Sequence, residues 1–396
     1  DITSKLAAEP AMRFHLLSSI ATGGLTNRRS IGDFFRGTYL GHSQTNSYLQ
    51  ENIDSMLKWL VEKRFIRRTN VGEQEESWND EIPSWVSAAQ SASGVSMVKK
   101  KSTEPVEATF GFKKASSMGV TGLNSFEYEA LDNEYEATSM GHRVSQLYID
   151  PLSADILLEG LRRAVRRIVR KTLPVTSFSL CHLVSSTPDF ISLWPKSKEL
   201  EFGSRLRQKG ALVEDELLIE SPIDERAMGM VKSAWCTELW YEEKDLRDIE
   251  KELGVTPGDV YSRTDLMGWL LLAAREILLR DDIFADEHLG YVSELVGLLD
   301  LTRSRVRAGC KEDLLQLVQV RGVGRNRART LSEMGIRTPA DLLALSNFDL
   351  DKLKSKRGWG PILVERIIDS VRNIAVGQQD KTRRDDDEPL PGERQD

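Results

Sequence analysis

The sequence has few of the residues that build metal centres, disulfide frameworks and membrane spans. Its 396 residues include only three cysteines, Cys181, Cys236 and Cys310, which are far apart and lack CxxC spacing, and its five histidines are scattered. This usage argues against a zinc site or a disulfide framework and favours a reducing compartment. We find no signal peptide and no run of about 18 apolar residues, so we expect no membrane span and a cytoplasmic location.

The motifs of ATP hydrolysis and of hydrolytic catalysis are missing as well. The sequence contains no GxxxxGK[ST] phosphate loop, no DExH-type run, no HExxH, and no Ser/His/Asp or Cys/His arrangement. The run Asp385-Asp386-Asp387 looks like a metal site, but it lies in a polar tail, where we interpret it as solvated charge. We therefore expect no cofactor in this chain, and the sequence leaves open whether the chain is an enzyme.

Charge is distributed unevenly. The net charge is −7, yet residues 296–372 contain 15 Lys/Arg against 9 Asp/Glu, and the last 21 residues contain 7 acids against 4 bases. Local patches decide phosphate binding and the total charge does not. A nucleic-acid partner is therefore compatible with an acidic chain.

The most informative stretch is Arg321-Gly322-Val323-Gly324-Arg325, which stands between two apolar-periodic segments. Its glycines allow a tight turn and a close approach to phosphate, and the following helix points backbone N–H groups at that phosphate. A helix-hairpin-helix grips a nucleic-acid backbone in this way without reading bases. The candidate binding residues are Arg321, Gly322, Gly324, Arg325, Arg327 and Arg329.

A weaker copy of this run follows at Arg357-Gly358-Trp359-Gly360-Pro361. The alternative for either copy is an ordinary αα-hairpin whose glycine caps a helix. The joint occurrence of the glycine pair, the arginines and the second copy favours nucleic acid.

A second basic signal is LRRAVRRIVRK, residues 161–171. On a helix, arginines at a spacing of four residues form two adjacent ridges, while Leu161, Val165, Ile168 and Val169 face inward. Like charges at this spacing repel, so the helix needs an anionic partner. That partner is either DNA or the carboxylates of the bundle around it. The candidate residues are Arg162, Arg163, Arg166, Arg167 and Arg170.

A third signal is Trp269, on a helix predicted to run from Val260 to about Leu279. A tryptophan in a helical bundle usually belongs to the core. If it faces a channel instead, it can stack on a base of single-stranded nucleic acid, a contact worth about 1–3 kcal/mol. The sequence alone does not decide between the two.

The fold class that these patterns predict is mainly α. Residues 1–71 indicate helices over about 4–20, 31–38 and 47–63, with Ser4 and Ser30 as caps of the first two. A wing strand at 135–149 would complete a winged helix. The segment 72–123 is polar and weakly periodic, so we interpret it as a partly disordered insertion. A bundle of six or seven helices, a helix-hairpin-helix domain and a disordered tail follow.

Five motifs in this order carry a family resemblance: ITSKLAAEPAMRFH, YEATSMGHRVSQLYIDPLSADIL, LCHLVSSTPDF, PGDVYSRTDLMGWL and LLQLVQVRGVGRNRARTLSEMGI. Together they resemble the C-terminal half of the archaeal Hjm-type superfamily 2 DNA helicases. The resemblance implies a winged helix at 1–148 with an insertion at about 72–128, a helical ratchet bundle at 149–295, a helix-hairpin-helix domain at 296–375 and an acidic tail at 376–396. The chain starts at Asp1 within a helical pattern, so we expect it to be part of a longer protein.

In that family two RecA-like motor domains, which bind ATP and Mg²⁺, precede this region. The resemblance implies that Trp269 stacks on the passing DNA strand and that the hairpin arginines clamp the exit strand. The family arginine that accompanies the tryptophan falls on Ser262. Arg263 is one residue later and lies about 120° around the helix from Trp269.

Our sequence-based hypothesis is a DNA-binding portion of an ATP-dependent 3′–5′ DNA helicase that acts in repair and at stalled forks. Its expected partners are single-stranded and forked DNA, the motor domains in cis, and replication or repair proteins. The alternative is a stand-alone adaptor without a motor that recruits such proteins. RNA is a third possibility, because related helicases with similar bundles act on RNA.

Overall fold

The computed structural model describes residues 4–69, 132–195, 202–219, 224–281, 288–356 and 358–386. The chain divides into two compact units, one formed by Asp1–Ala7 with Ser19–Thr138 and the other by Ala8–Ser18 with Ser139–Asp396. The predicted insertion, Arg357 and the last ten residues lie outside the described residues. None of the described helices is long and apolar enough to cross a membrane.

The first unit contains short helices and a two-stranded sheet. Its helices are α2 (Arg28–Arg36), α3 (Tyr39–Ser43) and α4 (Asn46–Glu62), and α1 (Glu9–Ala21) enters it at Ser19. The predicted apolar face of α4 is confirmed, because Leu49, Ile53, Met56, Leu57 and Leu60 are all buried. Strand β1 (Ile66–Arg68) pairs antiparallel with β2 (Tyr135–Ala137).

Two local predictions in this region were wrong. The N-cap of α2 is Asn27, whose side chain accepts a hydrogen bond from the N–H of Ser30, the residue predicted to be the cap. Ser4 precedes only a short 3₁₀ turn, Lys5–Ala7, and α1 begins at Glu9.

The predicted wing strand at 135–149 was also too long. Strand β2 ends at Ala137, and α5 (Ser139–Leu147) occupies the rest. The residues that α5 buries, Gly141, Val144 and Ser145, have helical spacing. The hydroxyl of Thr138 donates to the carbonyl of Arg64 at 2.7 Å, just where the strand ends.

The second unit is an α-helical bundle followed by the hairpin region. The bundle helices are α6 (Pro151–Arg170), α7 (Ser177–Ser185), α8 (Phe202–Leu212), α9 (Glu225–Tyr241), α10 (Leu246–Leu253), α11 (Pro257–Leu278) and α12 (Leu289–Ala308). Helix α11 is central, because α5, α6, α7, α9, α10 and α12 all pack against it. Thr256 and Asp259 form a capping box at its start, and Pro257 fits its first turn.

The hairpin region begins where α12 ends at Gly309. Two 3₁₀ turns, Glu312–Leu314 and Leu317–Gln319, precede α13 (Arg325–Glu333), α14 (Pro339–Leu343), α15 (Asn347–Ser355) and α16 (Pro361–Asp386). These elements enclose an apolar core that includes Leu317, Val323, Leu331, Trp359 and Ile367.

The predicted boundaries meet continuous helices at two places. Helix α12 runs through the predicted boundary at 295/296, and α16 continues through 375/376 as far as Asp386. The segment up to Asp386 is therefore helical, where we had predicted a disordered tail from residue 376.

Candidate nucleic-acid interface

Helix α11 exposes a narrow face to solvent. Val260, Met267, Leu270, Leu271 and Ala274 are among its many buried residues. Tyr261, Ser262 and Asp265 are exposed, and Trp269 is half-buried on the same side. Trp269 is therefore not a fully enclosed core residue, and part of its indole ring can contact a ligand.

The packing of α12 fixes the backbone beside Trp269. The Nε of Arg303 donates to the carbonyl oxygen of Gly268 at 3.1 Å. A Cβ on Gly268 would lie 3.3 Å from Cγ of Arg307, so a larger residue would require the Arg307 side chain to shift. The half-exposed indole thus projects from a rigid helix.

Arg263 extends its side chain toward Ser262, the residue that falls on the family arginine. Its Nη1 donates to Oγ of Ser262 at 2.8 Å. Although the Cα of Arg263 is well around the helix from Trp269, the guanidinium turns toward Ser262, which shares the exposed face. The structure therefore brings Trp269, Ser262 and the charge of Arg263 to one side of α11.

The predicted basic ridges of α6 are only partly available to a ligand. Arg162 forms two hydrogen bonds of 2.7 Å with the buried carboxylate of Asp281. Arg167 donates to the backbone oxygens of Asp215 and Leu217 at 2.8 and 2.7 Å. Both side chains are thus engaged within the chain. For Arg162 the partner is a carboxylate of the bundle, which was the alternative to DNA.

The other α6 arginines lie close to one another. Arg170 is exposed, whereas Arg163 and Arg166 are half-buried. Burial, followed by the charges of Arg162, Arg163 and Arg170, lowers the pKa of Arg166. Burial and then the charge of Arg163 lower the pKa of Arg167. The repulsion expected from the sequence is therefore present, and an anion near this helix would relieve it.

The two glycine turns have the same conformation. Gly322 and Gly358 have φ angles of +90° and +85°, values that favour glycine. The residue after each glycine is buried, with Val323 3% and Trp359 4% exposed. Trp359 is thus a core residue. Gly324 begins α13 without a side-chain cap, and Arg327 donates to the carbonyl of Gly322 at 2.9 Å.

Arg325 is engaged by the bundle. Its guanidinium carbon lies 4.1 Å from the centroid of the Trp240 ring, at the end of α9. Its Nη1 also approaches the carbonyl oxygens of Trp240 and Gly309 at 3.4 and 3.5 Å. Burial lowers the pKa of Arg325. A cation over a tryptophan face is attracted by the ring quadrupole, so this contact holds the start of α13 against α9.

Arg329 is engaged as well. It donates to both carboxylate oxygens of Glu243 at 2.8 and 2.6 Å, and to Asp313 at 2.8 Å. Hydrogen bonds to Glu243 and then to Asp313 raise the pKa of Arg329. Burial alone would raise the pKa of Glu243, but hydrogen bonds from Arg329 and from the N–H of Lys311 bring it below its ordinary value of 4.5.

Trp240, Glu243, Gly309, Arg325 and Arg329 form what we call the α9–hairpin joint. The Nε1 of Trp240 donates to the carbonyl of Val306 at 2.8 Å. Gly309 has a φ angle of +63°, and a Cβ there would lie 2.4 Å from the Trp240 ring. Trp240 and Glu243 were not predicted from the sequence, because nothing in their local pattern indicates the residues that they contact.

The hairpin arginines therefore differ in position. Arg325 and Arg329 belong to the α9–hairpin joint, and Arg327 bonds its own turn. Arg321 is exposed, and its side chain has no hydrogen bond or ion pair within the part of the chain that the structure describes. The described residues also contain no cluster of His, Cys, Asp and Glu that could hold a metal ion.

Three family models match the chain. They are described as "Helix-turn-helix domain" at residues 1–67, "Archaeal helicase, domain 4" at residues 178–295 and "SAM-like Helix-hairpin-helix tandem" at residues 313–373. The chain is therefore similar to the C-terminal region of archaeal superfamily 2 helicases. The matches also confirm the predicted mainly α fold with a winged helix and a helix-hairpin-helix. The Hjm subtype stays a prediction.

Several curated relatives carry the name ATP-dependent DNA helicase Hel308. The protein of Methanocella arvoryzae is 27% identical over 84% of this chain and 35% of its own length. That of Pyrococcus horikoshii is 26% identical over 95% of this chain and 42% of its own length. That of Thermococcus kodakarensis is 31% identical over 62% of this chain and 20% of its own length. The chain thus spans less than half the length of these relatives.

Proposed function

We propose that this chain binds single-stranded DNA and guides it along α11, as part of an ATP-dependent 3′–5′ helicase that acts in repair and at stalled forks. The observation that carries the proposal is the half-exposed Trp269 on a rigid central helix, with Ser262 and Arg263 on the same side. The relatives named as ATP-dependent DNA helicases support DNA as the ligand.

The mechanism is passive. Trp269 stacks on one base of the strand, and a stacked base resists backward movement. Every base has a π-face, so the contact tolerates any sequence. Arg263 contributes positive charge beside the stacked nucleotide, and the exposed Arg170 contributes it on α6. Motion along the strand comes from RecA-like motor domains in cis, which bind ATP and Mg²⁺.

The substrate class, location and partners of the protein follow from single-stranded DNA as its ligand. Forked DNA is the substrate class that presents a single-stranded arm to such a helix. The protein acts in the cytoplasm, at the nucleoid, and replication or repair proteins are its partners there.

Trp269→Ala tests this function. We expect it to weaken binding to a single-stranded oligonucleotide by about 1–3 kcal/mol, because one stacked base is lost. Fluorescence anisotropy on single strand, a 3′-tailed fork and blunt duplex, at low and moderate salt, measures the change. Binding should fall steeply with salt and depend little on base sequence.

Trp194→Ala is the matched control, since Trp194 is 64% exposed but lies outside α11. It should leave the affinity unchanged. If a folded Trp269→Ala variant binds as tightly as the parent chain, Trp269 does not stack. If the parent chain binds none of the three DNAs, the proposed function of the chain is wrong.

A further inference from the structure

The turn of the first hairpin packs against α16 and forms a cleft with it. The backbone N–H of Arg321 donates to Oγ of Ser370 at 3.2 Å. A Cβ on Gly322 would lie 3.5 Å from Cγ1 of the buried Ile367. These contacts fix the turn on the helix. The cleft beside them has a volume of about 420 Å³ and is lined by Arg321, Arg366, Asp369, Ser370 and Asn373.

The charge of this cleft is positive. Arg321 and Arg366 are exposed, and neither guanidinium has an ion pair or hydrogen bond to any residue that the structure describes. The one carboxylate of the lining, Asp369, is paired with Arg372 at 3.2 Å. Two uncompensated cations therefore face the cleft, and the pairing of Asp369 reduces the repulsion that an anion would meet.

The remaining lining residues can donate hydrogen bonds. Oγ of Ser370 accepts from Arg321, so its own hydroxyl hydrogen is available, and Asn373 is exposed and has an amide group with two donors. A pair of guanidinium groups with a hydroxyl and an amide suits a phosphate oxygen, because guanidinium binds phosphate with charge-assisted hydrogen bonds.

The contrast with the other hairpin arginines strengthens this assignment. Arg325 and Arg329 are held by Trp240 and Glu243 in the α9–hairpin joint. Among the residues that the structure describes beside the turn, Arg321, from the turn itself, and Arg366, about 45 residues later in the sequence, have neither an ion pair nor a side-chain hydrogen bond. The fold, and not the arginine-rich run, brings this pair together.

We propose that Arg321 and Arg366 form a binding site for a backbone phosphate of single-stranded DNA. The site deepens the proposed function and rests on it. It assigns a DNA contact to α16, a helix that lies outside the arginine-rich run of the first hairpin. The phosphate is held by charge without contact to a base.

The first test replaces both arginines, Arg321→Gln with Arg366→Gln. The slope of log K against log salt is negative, and each lost phosphate contact should make it shallower by about 0.7 for a single strand. Replacing the pair should therefore make it shallower by about 1.4. Affinity should fall roughly tenfold at low salt, equally for all base sequences. The control is Arg337→Gln with Lys352→Gln, which removes the same charge from exposed positions in the hairpin region and should change the slope by much less.

A second test reports proximity. The three native cysteines are buried, so a cysteine introduced as Asn373→Cys can be labelled selectively with a photo-crosslinker. We expect it to cross-link to a bound oligothymidylate, whereas Lys352→Cys should cross-link much less. Equal cross-linking from the two positions would overturn the site.

The outcomes separate the two proposals. If Trp269→Ala weakens binding but the arginine pair behaves like its control, α11 binds DNA and the phosphate site is wrong. If the parent chain binds no single strand, the proposed function itself fails. The arginine replacements could also leave both the salt slope and the cross-linking from Asn373→Cys unchanged. That result would contradict a phosphate contact at this pair.

Discussion

The two glycine turns of the hairpin region have similar backbone angles at their first glycine, but they contact different parts of the protein. Gly322 and Gly358 both have φ near +90°, and each is followed by a buried residue. The first turn leads into Arg325, which stacks on Trp240 of the bundle. The second leads into Pro361, which is exposed at the start of α16. One turn therefore joins the hairpin to the bundle, whereas the other closes the apolar core of the hairpin itself.

This difference changes the meaning of the arginine-rich run. A cluster of arginines after a glycine turn suggests phosphate binding, yet two of its members are held by the α9–hairpin joint. Glu243 supports the joint from a left-handed backbone with a φ of +67°, a conformation that costs a non-glycine residue about 1 kcal/mol or more. The ion pair with Arg329 offsets that cost. The first hairpin is thus tied to the bundle by charged groups, in addition to the apolar core that it shares with the second hairpin.

Trp240→Ala should break the joint with the largest effect. Trp240 is 8% exposed, and its loss removes the surface under Arg325 and leaves a cavity against Gly309. We expect the free energy of unfolding to fall by about 3–5 kcal/mol. Denaturant unfolding measures the loss, and hydrogen exchange at the amide of Lys311 reports whether the joint has opened.

Trp359→Ala is the comparison, since it removes a tryptophan of similar burial from the second hairpin. It should destabilise the hairpin core while the Lys311 amide stays protected by Glu243. If both variants expose that amide equally, the two hairpins do not differ in the way that we describe.

Glu243→Gln should have a smaller effect that depends on pH. The folded pKa of Glu243 lies below its ordinary value of 4.5. The stabilisation is therefore fully present above pH 4.5 and is lost as the pH falls through the folded pKa. We expect a loss of about 2 kcal/mol at neutral pH, because the variant removes hydrogen bonds between charged groups. The difference in unfolding free energy between parent and variant should shrink in acid.

Glu242→Gln provides the matched control for this prediction. The neighbouring Glu242 side chain is 42% exposed and pairs with Arg305 and Lys311. Exposed pairs contribute little, so its loss should cost less than about 1 kcal/mol. An equal loss from both variants would mean that Glu243 has no special place in the joint.

The limits of sequence-based prediction follow from the same contacts. The apolar face of α4 and the helical character of the bundle were predictable, because they depend on periodicity within about twenty residues. The ion pair between Glu243 and Arg329 joins positions 86 residues apart, and no local pattern encodes it. The prediction of a long wing strand failed for a related reason, since residues 135–149 include several β-formers, but the burial over residues 139–147 follows a helical period. For Trp269 the sequence left core packing and base stacking both open, and the family resemblance favoured stacking.

Gly322→Ala and Gly324→Ala should have the smallest effects of these variants. They compare a glycine whose φ angle is positive with one whose φ angle any residue can adopt. Alanine at φ +90° is strained, so Gly322→Ala should cost about 1–2 kcal/mol. Gly324 has a φ of −84°, and no heavy atom of a described residue lies within 4 Å of a Cβ built there. Its replacement should cost about 0.5–1 kcal/mol, because alanine is less favourable than glycine at a helix N-cap. Thermal unfolding of the two variants measures this difference.

Gly358→Ala and Gly360→Ala should repeat the pattern, because the second turn has the same backbone. A strong loss at Gly324 or Gly360 would mean that these glycines pack more closely than the structure indicates.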